Sequence, residues 1–151
     1  LDRFMLRIRI GYPSAQTEAR LIHRAQHDTV ADVVRAIEPA QLVATQRQVA
    51  RIPIEDSLAN YVVSIVGATR STPSIALGLS TRAARAFSLA ARARAFLRGR
   101  SFVIAEDIID LAVPALAHRI RVAAYADGFA VGREEAESAI REVVARVPLP
   151  L

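Results

Sequence analysis

One arginine stands at the start of a helix, where its charge could act on an anion. The stretch 78–82 reads Gly-Leu-Ser-Thr-Arg and opens a long segment rich in Ala and Arg. Ser80 or Thr81 can act as the N-cap, because a side-chain oxygen there accepts a hydrogen bond from a free first-turn N–H. Arg82 then falls in the first turn, where the helix dipole disfavours a cation. A bound anion would offset that cost, so the pattern indicates contact with a phosphate.

Three other interpretations of the arginines stay open on the residues alone. Arg82 could be an ordinary solvated side chain, since all 20 basic residues of the chain are arginine. The chain could also be a purely structural bundle that docks a partner. The third is a basic helical module that binds nucleic acid with steep salt dependence through Arg92, Arg94, Arg98 and Arg100. The acidic residues are interspersed rather than segregated, and no helix-turn-helix spacing is evident, which argues against nucleic acid.

Composition limits the classes of function. The chain has 151 residues, 52% of them hydrophobic, which is enough for one domain with a core, and its net charge is +5. Without cysteine it has neither disulfides nor thiolate metal sites, which fits a cytoplasmic protein. No apolar run approaches the length of a membrane span, so we expect no membrane partner. A phosphate-binding P-loop needs a lysine, so we expect no ATP hydrolysis from this chain alone.

Hydrophobic periodicity and cap residues predict a mainly α-helical domain. The predicted helices cover residues 14–27, 39–51, 55–70, 81–98, 105–118 with a break or kink at Pro114, and 132–147. Residues 71–79 read as a loop, and residues 119–125 carry a weak signal for an extended segment. Arg94 and Arg98 fall near the apolar stripe of their helix, so each is expected to need an oxygen partner.

One strand is predicted ahead of these helices. Leu6, Ile8 and Ile10 alternate with arginines, a period of two that places apolar groups on one face. A single strand cannot satisfy its own backbone groups, so in this chain it must either borrow a partner strand or stay unpaired.

A histidine pair gives the only hint of a metal site. His23 and His27 lie four residues apart, as ligands do on zinc-binding helices. No glutamate lies between them and no third ligand is evident, so we expect no metal site.

Several motifs resemble those of MoxR-type AAA+ ATPases. The segment around Arg82 resembles the sensor-2 motif of that family, usually written Gly-Ala-Ser-Pro-Arg-Ala, and departs from it at Leu79 and Thr81. The opening Leu-Asp-Arg-Phe, which contains Arg3, resembles the end of the family's AAA+ core. Further similar segments follow in the same order over essentially the whole chain: Tyr61 with Ala68-Thr69-Arg70, Gly99-Arg100-Ser101-Phe102-Val103, Glu106-Asp107-Ile108, Ala117-His118-Arg119-Ile120 and Val147-Pro148.

The resemblance implies the C-terminal fragment of a ring-forming, usually hexameric ATPase that remodels client proteins, often during maturation of metallo-enzymes or complexes. Residues 1–13 would be the last strand of the truncated AAA+ core, and residues 14–151 a helical-bundle lid domain. The chain's partners would then be the core of its own protein, neighbouring subunits and an unidentified client.

The resemblance also implies roles for individual residues. Arg82, as sensor 2, would reach the γ-phosphate of ATP bound with Mg²⁺ in its own subunit, with Ser80 and Thr81 beside it. Arg3 would be the arginine finger that enters the site of the neighbouring subunit. ATP and Mg²⁺ would bind the full-length protein, and none would bind the fragment alone, which lacks the Walker A and Walker B motifs.

Overall fold

The computed structural model describes residues 3–23, 34–123 and 132–150. The predicted fold class is confirmed, because these residues are mainly helical and carry one small two-stranded sheet. In chain order the elements are α1 Ala15–His23, α2 Pro39–Arg51, α3 Asp56–Ser71, β1 Ile75–Leu77, α4 Thr81–Leu97, α5 Ala105–Leu116, a 3₁₀ turn Ala117–Arg119, β2 Arg121–Val122 and α6 Gly132–Arg146. The predicted histidine pair cannot be placed, since His27 lies outside the described residues.

The core lies between the last four helices. Helix α4 packs against α5 and α3, while α5 packs against α6. The largest side chains at the centre are almost fully buried: Ile65, Phe87, Ile108, Leu116 and Ile140. Burial of one such side chain stabilises the fold by about 1.5–3 kcal/mol. In contrast, α1 and α2 contain no buried residue, so the stable unit is formed by α3 to α6.

Helix α4 has well-defined ends because its flanking residues satisfy free backbone groups. Ser80 is the N-cap, and its Oγ accepts a hydrogen bond from Ala83 N–H at 3.1 Å. At the other end Gly99 has φ +71°, a left-handed conformation that glycine adopts without strain. The N–H groups of Gly99 and Arg100 return to the carbonyls of Phe96 and Ala95, each at 2.9 Å, which forms a Schellman motif.

A short sheet pairs one strand from the segment predicted to be a loop, 71–79, with one from the segment predicted to be weakly extended, 119–125. Strand β1 pairs antiparallel with β2, with Ile75 opposite Val122 and Leu77 opposite Arg121. Three- and two-residue strands are too short to show an alternating pattern, and their pairing depends on residues distant in sequence. The sheet holds the chain just before α4 against the segment that follows α5.

The strand predicted at residues 6–10 is not formed. A strand needs a row of hydrogen bonds to a neighbour, whereas the backbone here makes a single one, from Arg7 N–H to Pro114 O at 2.8 Å. Its three alternating apolar side chains are 41–91% exposed. The alternation is therefore real in the sequence, but the described chain offers it no partner strand.

The prediction at Pro114 was correct only in part. Helix α5 continues past this residue to Leu116 and then tightens into the 3₁₀ turn. Proline lacks the N–H of a helical hydrogen bond, so one bond of the last turn is lost, and the helix ends two residues later. The Pro114 carbonyl accepts the hydrogen bond from Arg7 N–H in the N-terminal segment, residues 3–13.

Candidate functional site

The N-terminus of α4 presents an exposed cation. Thr81 is the first helical residue, Arg82 is the second, and both are exposed, as is the capping residue Ser80. Within residues 3–23, 34–123 and 132–150, the Arg82 side chain makes no hydrogen bond or ion pair. Its guanidinium is therefore accessible in the same turn as the free N–H groups of the helix end, both of which can donate to an anion.

The residue before this helix end is held by side chains of α3. Leu79 is only 2% exposed, and its N–H donates to Thr69 Oγ1 at 3.1 Å. Its carbonyl accepts a hydrogen bond from Arg70 Nε at 2.8 Å. Thr69 is itself fixed, because its hydroxyl donates to Val66 O at 2.7 Å. We call Thr69 and Arg70 the Leu79 clamp, since both backbone polar groups of Leu79 bind to them.

Glycine is needed where the chain passes this clamp. A Cβ on Gly78 would lie 2.8 Å from Thr69 O and 2.9 Å from Arg70 Cα. Both are backbone atoms that cannot move aside without displacing α3. The sequence motif Ala-Thr-Arg and the glycine of the sensor-like segment thus meet in space and fix the start of α4.

The C-terminal end of α4 is tied to α5 by a buried carboxylate. Asp107 has no exposed surface, and both of its oxygens accept hydrogen bonds from Arg100 at 2.6 Å. Arg94 forms ion pairs with Asp107, at 3.3 Å, and with Asp110. The sequence predicted that Arg94 needs an oxygen partner, and these two carboxylates supply it. The same expectation for Arg98 was wrong, because its side chain is exposed at the end of α4.

The electrostatics of this cluster favour the ionised carboxylate. Burial by itself would raise the pKa of Asp107. Hydrogen bonds from Arg100 and from the Ile104 amide, together with the charges of Arg100 and Arg94, outweigh it and lower this pKa.

Internal pairing of the arginines argues against a nucleic-acid interface. Besides Arg94 and Arg100, Arg92 is also engaged, since its Nη1 donates to Ala50 O at 2.9 Å. Three of the four clustered arginines therefore bind other parts of the chain. A surface that reads phosphates needs such groups free to reach the backbone of the nucleic acid.

Arg3 lies beside the 3₁₀ turn that follows α5. Its own side chain is exposed, and the next carbonyl, that of Phe4, accepts hydrogen bonds from His118 Nε2 at 2.9 Å and Arg119 Nη2 at 2.6 Å. We call His118 and Arg119 the Phe4 clamp. In the described part of the chain, no hydrogen bond or ion pair joins Arg3 to Arg82.

Sequence reasoning did not assign these clamp residues a role. The pair His-Arg was noted only as part of a resembling segment, and neither helical spacing nor composition predicts a contact across more than 110 residues. Burial of His118 lowers its pKa, against the opposing effect of the hydrogen bond to Phe4. The charges of Arg119 and Arg7 lower it further.

The N-terminal segment is also attached to α6. Glu137 is hydrogen-bonded to Arg9 at 2.8 Å and lies 3.9 Å from Arg7, with Arg133 and Arg141 also within 4 Å. The hydrogen bond with Arg9 is the main cause of a lowered pKa at Glu137.

Neither a metal cluster nor a membrane helix is found in the described ranges. They contain no group of three or more His, Cys, Asp or Glu residues placed to hold a metal ion. None of their helices has both the length and the apolar character needed to cross a bilayer.

Comparisons with known proteins agree on one family. A family model described as AAA lid domain matches residues 67–143. The chain is 34% identical over its whole length to YeaC of Bacillus subtilis, of which it spans 47%. It is 33% identical over 79% of its length to a protein named Chaperone MoxR1 of Mycobacterium tuberculosis, of which it spans 34%.

A solved structure supports the same assignment. The crystal structure of a candidate ATPase from Cytophaga hutchinsonii superposes with a TM-score of 0.79 over 99% of this chain, at 26% identity, and this match spans 48% of that protein. The chain thus spans about half of that protein, as it does of YeaC. The matched family model includes the elements that position Arg82, from the last turn of α3 through α4 and on into α6. The chain therefore belongs to the AAA lid domain family, and it corresponds to the C-terminal region of MoxR-like AAA+ ATPases.

Proposed function

We propose that Arg82 is the sensor-2 arginine of an ATPase and contacts the γ-phosphate of ATP bound by the core of its own subunit. The observation that carries this proposal is an exposed guanidinium in the first turn of α4, next to a backbone fixed by the Leu79 clamp. A planar guanidinium donates hydrogen bonds in pairs, which matches the oxygens of a phosphate. Ser80 and Thr81 border the same helix end and would line the site with hydroxyl groups.

Arg3 takes the second role in this proposal. It is the arginine finger, inserted into the nucleotide site of the neighbouring subunit, where it offsets charge that develops during phosphoryl transfer. Loss of such an arginine reduces turnover by about 10³–10⁵-fold. ATP with Mg²⁺, bound by the core, would supply the phosphoryl group, and this chain's own contribution is the two cations and their fixed backbone.

The remaining expectations form the wider proposal. Residues 1–13 would form the last strand of the AAA+ core once the core of the full-length protein pairs with them, and residues 14–151 the lid, in a cytoplasmic, hexameric ring that remodels client proteins. The family membership supports the ring, and the similarity to Chaperone MoxR1 supports chaperone-like activity. The chain alone is expected not to hydrolyse ATP.

Steady-state ATP hydrolysis by the full-length protein tests the two arginines. We expect Arg82→Ala and Arg3→Ala each to lower kcat by at least about 100-fold, while both variants stay folded. Arg98→Ala is the matched control, because it removes an exposed arginine from the opposite end of the same helix. Wild-type turnover in either variant would disprove the role of that arginine.

Mixed rings separate the two roles. A sensor acts within its own subunit and a finger acts on the next one, so Arg82→Ala subunits still supply an intact finger to Arg3→Ala subunits. We expect a mixture of the two inactive variants to regain ATP hydrolysis. A mixture that stays inactive would contradict the cis and trans assignment.

A further inference from the structure

We infer that His118 and Arg119 are positioning residues for Arg3, and that they act by holding the Phe4 carbonyl. The inference rests on the proposed function of Arg3 as the arginine finger. It assigns a role in ATP hydrolysis to two residues that touch neither nucleotide nor Arg3 itself.

The contact is specific because one carbonyl oxygen binds two donors. A carbonyl has two lone pairs, and here both are used, by His118 Nε2 at 2.9 Å and Arg119 Nη2 at 2.6 Å. Since the carbonyl carries no proton, Nε2 must be the protonated ring nitrogen of His118. Two donors fix the position of this carbonyl better than one would.

Apolar packing does not hold the same residues in place. The side chain of Phe4 is 66% exposed and that of Met5 is 40% exposed. The next backbone hydrogen bond along the segment comes only at Arg7. Among the described contacts, the Phe4 clamp is therefore what fixes the backbone adjacent to Arg3.

The clamp residues are themselves part of the core. His118 is 6% exposed and Arg119 is 9% exposed, and the two residues before them, Leu116 and Ala117, are also buried. Strand β2 begins two residues after Arg119 and is paired with β1. The Phe4–Met5 peptide group, one residue beyond Arg3, is thus hydrogen-bonded to buried residues of the lid.

Such positioning affects catalysis because a finger acts only when it is correctly placed. A displacement of about 1 Å can reduce a rate by about 100-fold. Loss of the clamp should therefore lower kcat, while the affinity for ATP, which is set by the core, stays unchanged.

The test measures kcat and KM for ATP on the full-length protein. We expect His118→Leu and Arg119→Met to lower kcat by about 10- to 100-fold, with KM within about twofold of wild type. His118→Gln keeps an N–H donor near the position of Nε2 and should retain more activity than His118→Leu. Glu142→Gln is the control, since it alters only an exposed ion pair with Arg146 on α6.

Mixed rings give a readout that a purely structural role would not change. Each clamp variant should regain turnover when mixed with Arg82→Ala, which supplies an intact finger, and should not regain it when mixed with Arg3→Ala. Circular dichroism melting checks the fold. If Arg119→Met does not fold, Arg119→Lys, which keeps one donor, replaces it.

The outcomes distinguish the two levels of the proposal. If Arg3→Ala is inactive while both clamp variants match the control, this inference is overturned and the finger assignment stands. If the clamp variants are rescued by Arg3→Ala and not by Arg82→Ala, their defect lies in their own site, and the inference is again wrong. Wild-type turnover of Arg3→Ala would overturn the function of Arg3 itself.

Discussion

Asp107 is a carboxylate without exposed surface, at the point where the end of α4 meets the start of α5. It accepts a bidentate pair from Arg100 and a hydrogen bond from the Ile104 amide, and it forms an ion pair with Arg94. A buried charge is tolerated only when its oxygens are satisfied in this way. The Schellman motif at Gly99 places Arg100 within reach, so the backbone turn and the ion pair depend on each other.

Replacement of Asp107 should therefore destabilise the fold. We expect Asp107→Asn to lower the free energy of unfolding by about 2 kcal/mol, because it removes the charge that the arginines neutralise. Urea denaturation of the chain measures this. Asp110→Asn is the matched control: its side chain is 53% exposed, so the change should be below about 1 kcal/mol. Equal effects of the two substitutions would contradict the importance of burial.

His118 should make stability depend on pH. Its ordinary pKa is 6.5, and burial lowers that value in the folded state. Below pH 6.5 the unfolded chain therefore binds more protons, and the free energy of unfolding falls as pH falls, by at most about 1.4 kcal/mol per pH unit. The stabilising contribution of neutral, buried His118 is fully present above pH 6.5. We expect urea denaturation between pH 7.5 and 5 to show this slope.

The variant His118→Gln isolates the contribution of this one side chain. The lowered pKa values of Asp107 and Glu137 act in a more acidic range, below their ordinary values of 3.8 and 4.5, where their stabilisation is lost as pH falls. The difference between wild type and His118→Gln should thus appear below pH 6.5. If the stability of wild type and of His118→Gln depends on pH in the same way, His118 has the same pKa in the folded and unfolded states and the prediction is wrong.

At the level of elements, substitution of two glycines, Gly78 before α4 and Gly67 within α3, should have opposite effects on stability. Gly78→Ala places a methyl group against the backbone of α3, so we expect it to lower the free energy of unfolding by about 1–3 kcal/mol. Gly67 lies inside α3, and a methyl group there would meet nothing within 4 Å. Gly67→Ala should raise stability by about 0.5–1 kcal/mol. Thermal unfolding of both variants tests this, and destabilisation by both would contradict the clash.

Local sequence signals were sufficient for the helices and insufficient for the contacts between them. Pro39, Ser80 and Gly99 mark helix ends by their own chemistry, so the helix bounds could be predicted to within a few residues. The pairing of β1 with β2 and the burial of Asp107 depend on which distant residues meet. Those contacts are set by tertiary packing, which has no local signature.

The candidate site shows the same division. The exposed position of Arg82 in a first turn follows from the cap and could be read from sequence. The Leu79 clamp could not, because Thr69 and Arg70 looked like the ordinary end of an amphipathic helix. Only a motif resemblance connected these residues with Arg82, and it gave no geometry.

At the level of the whole molecule, the N-terminal segment is attached to the lid mainly by polar contacts. We expect Glu137→Gln to weaken this attachment and to accelerate trypsin cleavage after Arg7 and Arg9 by about two- to fivefold. Glu142→Gln, which alters an ion pair elsewhere on α6, should leave cleavage at these sites unchanged. Mass spectrometry of timed digests identifies the sites. Equal rates in wild type and Glu137→Gln would show that Glu137 does not hold the segment.

The small sheet has a consequence for how motion is shared within the lid. Leu77 ends β1 two residues before Leu79, and Arg121 begins β2 two residues after Arg119. Leu79, the residue that the first clamp holds, is thus linked to the Phe4 clamp through a few residues of paired backbone. We expect a displacement of one to be passed to the other, so that the backbone beside Arg3 and the helix end at Arg82 respond together.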